Sequence, residues 1–196
     1  GFINFFINHF RDDIDEEIRS KNLSEIYNFE IEQKPFEKNE IFNTKNFVKD
    51  SINKKILYPR IDLGIGKINY GLVNGGKGIH VDNPQRLISI IFYIGGFKKI
   101  EGGEFRVWHK VNDELRIFET IPPQENMMIV SLQNNHSFHD VNPVSSVEGA
   151  RNAFYLAISC SVSVWKDVKS NNFNMKYNKN RVKLNIFKKI KKFFFK

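Results

Sequence analysis

One cysteine, Cys160, stands in a chain of 196 residues. A single thiol excludes an internal disulfide and every zinc site built on paired cysteines, and it fits a reducing compartment. No run of eighteen apolar residues occurs, so no membrane-spanning helix is expected. The opening "GFINFFINHFRDD" lacks a basic start and turns acidic too early for a secretory leader. The expected location is therefore cytoplasmic. Glycine pairs occur at Gly75-Gly76 and Gly102-Gly103, but neither runs on into Gly-Lys-Ser/Thr and a helix. That excludes a phosphate-binding loop and leaves both pairs as turns.

Positive charge is present but unevenly spread. The chain carries +8 overall, yet residues 166–196 hold eleven Lys/Arg against the one acid Asp167, a net of +10. The other 165 residues therefore sum to −2, which argues against a nucleic-acid groove on the body. The basic tail ends in "RVKLNIFKKIKKFFFK". As a helix it would gather Ile186, Phe187, Ile190, Phe193 and Phe194 on one side and Lys188, Lys189 and Lys192 on the other. A frayed terminus is one reading. Peripheral contact with an anionic membrane surface is another.

Apolar residues make up 41% of the chain and include 19 Phe, enough for a sizeable core. Helical spacing of Ile3, Phe6, Ile7, Phe10, Ile14 and Ile18 predicts a helix over residues 3–20. The alternation in "IYNFEIE" predicts a strand. "NTKNFVKDSINKKIL" predicts a second helix, with Phe47, Val48, Ile52 and Ile56 inward. After Pro59 come eight short β-type runs separated by Gly, Asn and Pro: "KINYGLV", "GIHVD", "LISIIFYI", "EFRVWHK", "LRIFETI", "NMMIVSL", "SFHDVNPV" and "ARNAFYLAISCSVSV". That texture belongs to a sandwich or barrel. The expected layout is one domain over residues 1–165, with helical support over 1–58, a β core over 59–165, and the tail 166–196 outside it.

The five histidines carry the chemistry. His80 and Asp82 are two apart, so on an extended segment both point to one face. A histidine from a distant strand, such as His139, completes a face of two imidazoles and one carboxylate, which favours non-haem Fe(II) with positions left open. His136, three residues earlier, is the rival for that third place; His9 and His109 read as surface residues. In the last β run Arg151, Ala153, Tyr155 and Ala157 share one face, and Asn152, Phe154, Leu156 and Ile158 the other. An inward Arg151 calls for a buried anion, which its rigid fork grips bidentately. Arg86, just past the His-x-Asp segment, reads as a solvated loop charge, and Glu101 and Glu104 as turn and strand-edge charges.

Taken together, "HVDNPQRLISIIFYI", "EGGEF" and "SFHDVNPVSSVEGAR" resemble the Fe(II)/2-oxoglutarate dioxygenase superfamily in its prolyl 4-hydroxylase-like branch. The resemblance covers residues 70–160. It implies a mainly β fold, a double-stranded β-helix or jelly roll with N-terminal helices packed on the major sheet. It implies His80, Asp82 and His139 as iron ligands and Arg151 as the anchor of the distal carboxylate of 2-oxoglutarate. Tyr70 is the candidate partner of Arg151 on the strand before the His-x-Asp, one residue off the usual spacing. The implied cofactors and co-substrates are Fe(II), 2-oxoglutarate and O2, with ascorbate as a candidate reductant. The implied reaction is hydroxylation of an unactivated C–H bond with release of succinate and CO2. Halogenating relatives lack the carboxylate that Asp82 supplies. The substrate would be a peptidyl residue such as proline, or a small metabolite or sugar. Demethylases of alkylated bases usually place a second Arg where this chain has Ala157. The competing readings are a non-catalytic β-sandwich and a cupin-like metal-binding module.

Overall fold

The computed structural model describes residues 1–32, 55–64 and 78–165. The body of the second expected helix, the strand "KINYGLV", Tyr70, Gly75-Gly76 and the basic tail lie outside the described residues.

Two helices, α1 (Phe2–His9) and α2 (Arg11–Arg19), open the chain. The apolar spacing predicts one helix here, and the structure bends it at Phe10. The backbone ladder survives the bend: the Phe10 N–H still donates to Phe6 O, and Phe10 O accepts from the Ile14 N–H. Ile3, Phe6, Ile7 and Ile14 are buried, so both halves turn their apolar side to the same core. The expected strand "IYNFEIE" is mostly a 3-10 turn, Ile26–Asn28, and only β1 (Glu30–Ile31) pairs. Of the alternating Tyr27, Phe29 and Ile31 only Phe29 is buried, and it enters the core together with Ile26.

Strand β2 (Ile56–Gly64) runs parallel to β1 and antiparallel to β8 (Ser146–Cys160). Ile56 and Leu57 are therefore strand residues, not the end of a helix, and the expected boundary at 58/59 falls inside β2. The remaining strands are β3 (Arg86–Glu101), β4 (Phe105–Val111), β5 (Glu114–Ile121), β6 (Met127–Leu132) and β7 (Phe138–Val141). One sheet has the order β1-β2-β8-β3-β6 and the other β5-β4-β7. An isolated antiparallel bridge between His80 and His139 adds a fourth place to the smaller sheet, beside β7. The expected strand "GIHVD" is reduced to that one bridge.

From β2 onward the chain steps between the sheets, so that strands far apart in sequence become neighbours, β2 with β8 and β3 with β8. This crossed order over two facing sheets is the jelly-roll architecture, and it matches the expected fold class. Side-chain alternation does the layering. Ile88, Ile158 and Leu87 join Ile3, Phe6, Ile14 and Trp165 in a core between the helices and the major sheet. Tyr93, Phe105, Ile129 and Ala153 form a second core, flanked by Ile91, Val107 and Tyr155, between the sheets. Helices thus cover one face of the major sheet, and its other face turns toward the small sheet and the site.

Candidate metal centre

His80 and His139 sit directly opposite one another and exchange two backbone hydrogen bonds. The His80 N–H donates to His139 O at 3.0 Å, and the His139 N–H donates to His80 O at 2.9 Å. Cross-strand partners in such a pair present their side chains on the same face. Their ring centroids lie 4.5 Å apart. Asp82 comes between them: Oδ1 is 3.9 Å from His80 Nε2, and Oδ2 is 3.9 Å from His139 Nε2. One ligand atom from each of the three residues falls within 4.8 Å of the others. The exposed His136 stands outside this group, its backbone N–H donating to Asn134 Oδ1.

Each imidazole is oriented through its other nitrogen. His80 Nδ1 lies 2.9 Å from Gly78 O, and His139 Nδ1 lies 2.9 Å from Ser137 O. A carbonyl only accepts, so Nδ1 carries the proton and Nε2 keeps its lone pair for a metal. The Phe105 ring stacks on His139 at 5.4 Å. Two neutral nitrogens and one carboxylate on one face suit a non-haem Fe(II) with open positions, so the residues present fit that ion.

Asp82 is held from behind. The Ser89 hydroxyl donates to its Oδ2 at 2.7 Å, and Arg86 Nη1 stands 3.0 Å from the same oxygen. Burial pushes the Asp82 carboxyl up, but the Arg86 charge, the His139 imidazole and the Ser89 hydrogen bond together hold it below the usual carboxylate range. Arg86 is thus no solvated loop charge: the turn after Asp82 brings it back onto that carboxylate.

On the outward side of β7, Asp140 is almost fully buried. Arg106 grips it with Nε at 2.8 Å and Nη2 at 2.5 Å, and the Trp108 indole N–H donates to it at 2.9 Å. This cluster locks β7 to β4, and with it the backbone that carries His139. The Gly-Gly-Glu segment pins the same strand from its end. Gly102 has φ +81, and a Cβ there would lie 2.0 Å from Pro143 O. The Gly103 N–H donates to Asn142 O, and the Asn142 side chain donates to Glu104 Oε2 at 2.8 Å. Glu104 is therefore a tether rather than an edge charge.

Arg151 points inward, as its place in the β8 alternation predicts. Its Nη2 donates to the Tyr93 hydroxyl at 3.1 Å and its Nη1 reaches the Tyr155 hydroxyl at 3.5 Å. Its Nε is buried with no hydrogen-bond partner among the described residues. Burial pushes the Tyr93 phenol above its ordinary value, against the pull of Arg151, so it stays an O–H donor. A part-buried guanidinium with an unspent, buried Nε–H and a protonated phenol beside it is a ready carboxylate anchor. Tyr93 on β3 is thus a partner of Arg151; Tyr70, the candidate from the sequence, lies outside the described residues. A cavity of about 270 Å³ joins the triad to this region; Tyr155 lines it, although Arg151 itself does not.

The 2OG-Fe(II) oxygenase superfamily model matches residues 67–158, just under half the chain. The matched segment holds the triad and Arg151. Among solved structures the chain is similar to an oxidoreductase of the 2OG-Fe(II) oxygenase family from Burkholderia pseudomallei, with 18% identity and a TM-score of 0.35, over 66% of this chain and 60% of that one. It is also similar to a prolyl 4-hydroxylase from Phytophthora capsici, with 16% identity and a TM-score of 0.32, over 68% of this chain and 45% of that one. The chain thus spans less than two thirds of either. No curated protein matches.

Proposed function

We propose that this chain is a 2-oxoglutarate-dependent hydroxylase in which His80, Asp82 and His139 hold Fe(II). In this reading Arg151 and Tyr93 bind the distal carboxylate of 2-oxoglutarate, with Tyr155 beside them. The observation that carries it is the convergence of three ligand atoms within 4.8 Å in the same inter-sheet space as a buried Arg–Tyr pair. When bound, Fe(II) with 2-oxoglutarate and O2 supplies the oxidising power to hydroxylate an unactivated C–H bond, releasing succinate and CO2.

The chain's own residues do the rest. Gly78 and Ser137 carbonyls fix the imidazole tautomers. Ser89 and Arg86 restrain Asp82. Phe105, Ile91 and Ile129 wall the cavity with apolar surface, which excludes water and strengthens the ionic contacts inside. A peptidyl residue such as proline, or a small metabolite or sugar, fits the proposed chemistry, with ascorbate as an assay reductant. A cupin-like or non-catalytic module has no use for an inward guanidinium paired with a buried tyrosine beside the cavity.

The test is succinate formation from 2-oxoglutarate in air by the Fe(II)-loaded chain. Slow release that requires Fe(II) and vanishes in His80→Ala is expected. Release that is unchanged in His80→Ala would sink the reading.

A further inference from the structure

Gln133 is completely buried although it is polar. A buried amide needs partners at both ends of its side chain. Here it bridges two serines. Nε2 donates to Ser131 Oγ at 2.7 Å, and Oε1 accepts from the Ser137 hydroxyl at 3.1 Å. The Ser131 carbonyl lies 3.5 Å from the same Nε2, so turning the amide over would set Oε1 against another carbonyl oxygen. The amide orientation is thereby fixed, and Ser131 Oγ is an acceptor toward Gln133. Its own proton has no acceptor among the described residues. At the other end of the bridge, the Ser137 carbonyl is the group that orients His139.

Ser131 lines the cavity beside the triad, and the register of the major sheet places it there. Ser131 on β6 is paired with Ser89 on β3, Ser89 with Ala157 on β8, and Ala157 with Arg60 on β2. These four form one row across the cavity wall. Two residues along comes a second row of Ile129, Ile91 and the Tyr155 ring. Two further along come Tyr93 and Ala153, with Arg151 on the Tyr93 hydroxyl. The first row is the metal end, because its Ser89 hydroxyl donates to Asp82. The third row is the anchor end. An extended dicarboxylate laid along this wall has a carboxylate at each end and its methylene groups against the middle row. Ser89 and Ser131, as cross-strand partners, have Cβ atoms about 5 Å apart. Ser89 spends its proton on Asp82, whereas the Ser131 proton is left for whatever occupies the cavity.

We propose that Ser131 binds the co-substrate: its hydroxyl donates to the metal-end carboxylate of 2-oxoglutarate. Gln133 is the positioning residue, since it takes the acceptor side of that hydroxyl and leaves only the donor. The proposal rests on the oxygenase reading above.

The experiment uses the full chain loaded with Mn(II). The probe is oxalylglycine, an unreactive mimic that keeps both carboxylates of 2-oxoglutarate. Calorimetry reads the Mn(II) and oxalylglycine affinities separately. Ser131→Ala is expected to weaken oxalylglycine about tenfold or more, the loss of one hydrogen bond to a charged group, and to leave Mn(II) affinity within about twofold. Ser131→Thr keeps the hydroxyl and should bind oxalylglycine within about threefold of the unaltered chain. Two results would overturn the proposal. Unchanged oxalylglycine affinity in Ser131→Ala would assign the hydroxyl to another ligand, the prime substrate included. Equal losses of Mn(II) and oxalylglycine affinity would mean that Ser131 acts only through Gln133 and the turn that orients His139. Failure of oxalylglycine to bind the unaltered chain would instead overturn the oxygenase reading, and this proposal with it.

Discussion

At the scale of single residues, the site is a set of donors fixed in direction before anything binds. Ser89 illustrates this. Its hydroxyl holds one oxygen of Asp82 at 2.7 Å and leaves Oδ1 toward His80. Outer partners of this kind set metal affinity, so Ser89→Ala is expected to weaken Mn(II) binding about 10-fold to 100-fold, as followed by equilibrium titration; an unchanged affinity would show that Arg86 suffices. For the co-substrate, Tyr93→Phe should raise the 2-oxoglutarate KM several-fold and Arg151→Ala about 100-fold, with smaller effects on kcat, because a charged pair is worth more than a neutral hydrogen bond. Equal effects from both changes would contradict the assignment of Arg151 as the anchor. His80 and Asp82 were legible from their spacing and Arg151 from the strand alternation, whereas His139 was separated from His136 only by the family resemblance of its surroundings. Tyr93, Ser89 and Arg86 were not legible. Tyr93 meets Arg151 only through the long-range register of β3 against β8, whereas Arg86 and Ser89 reach Asp82 through the conformation of the local turn into β3, four and seven residues on.

At the scale of elements, burial decides what was readable. The strands after residue 86 fall on the expected apolar runs where they are buried, while β3 runs on through Gly95–Glu101 and β8 starts earlier, at Ser146, in stretches that are largely exposed and carry no apolar signal. The N-terminal segments were read less well. A continuous helical stripe over 3–20 hides the bend at Phe10, and a short alternating run at 26–32 passes for a strand when only two residues pair. The helices still matter for stability. Ile14 is fully buried and should cost about 2–4 kcal/mol when cut to alanine. Phe118, at 67% exposure, should change stability by less than about 0.5 kcal/mol when changed to serine. Urea unfolding of the two variants checks both, and comparable losses would mean that α2 is not part of the core. Gly102→Ala is a sharper test, because its Cβ would collide with the Pro143 carbonyl while φ stays at +81. It should destabilise the protein by more than about 1 kcal/mol and loosen the strand that carries His139.

At the scale of the whole molecule, the helices, the major sheet and the site form consecutive layers, and Cys160 reports on their integrity. Its side chain is fully buried in the core under the helices, and burial pushes its thiol up to about 12. In the unfolded chain the thiol ionises near pH ~8.5. Above that pH the unfolded state releases a proton that the folded state keeps until about 12, so the thiol's contribution to stability falls as pH rises through this window. Cys160→Val should therefore flatten the alkaline decline in stability measured by urea titration between these pH values, and a thiol reagent should label the native protein only at its opening rate.

The central claim is that one inter-sheet site binds both Fe(II) and 2-oxoglutarate. Anaerobic titration of the Fe(II)-loaded protein with 2-oxoglutarate tests it most directly, through the weak visible charge-transfer band of the complex. A saturable band is expected that is lost in Asp82→Ala and needs far more 2-oxoglutarate in Arg151→Ala. Bound metal with no band at any 2-oxoglutarate concentration would contradict it.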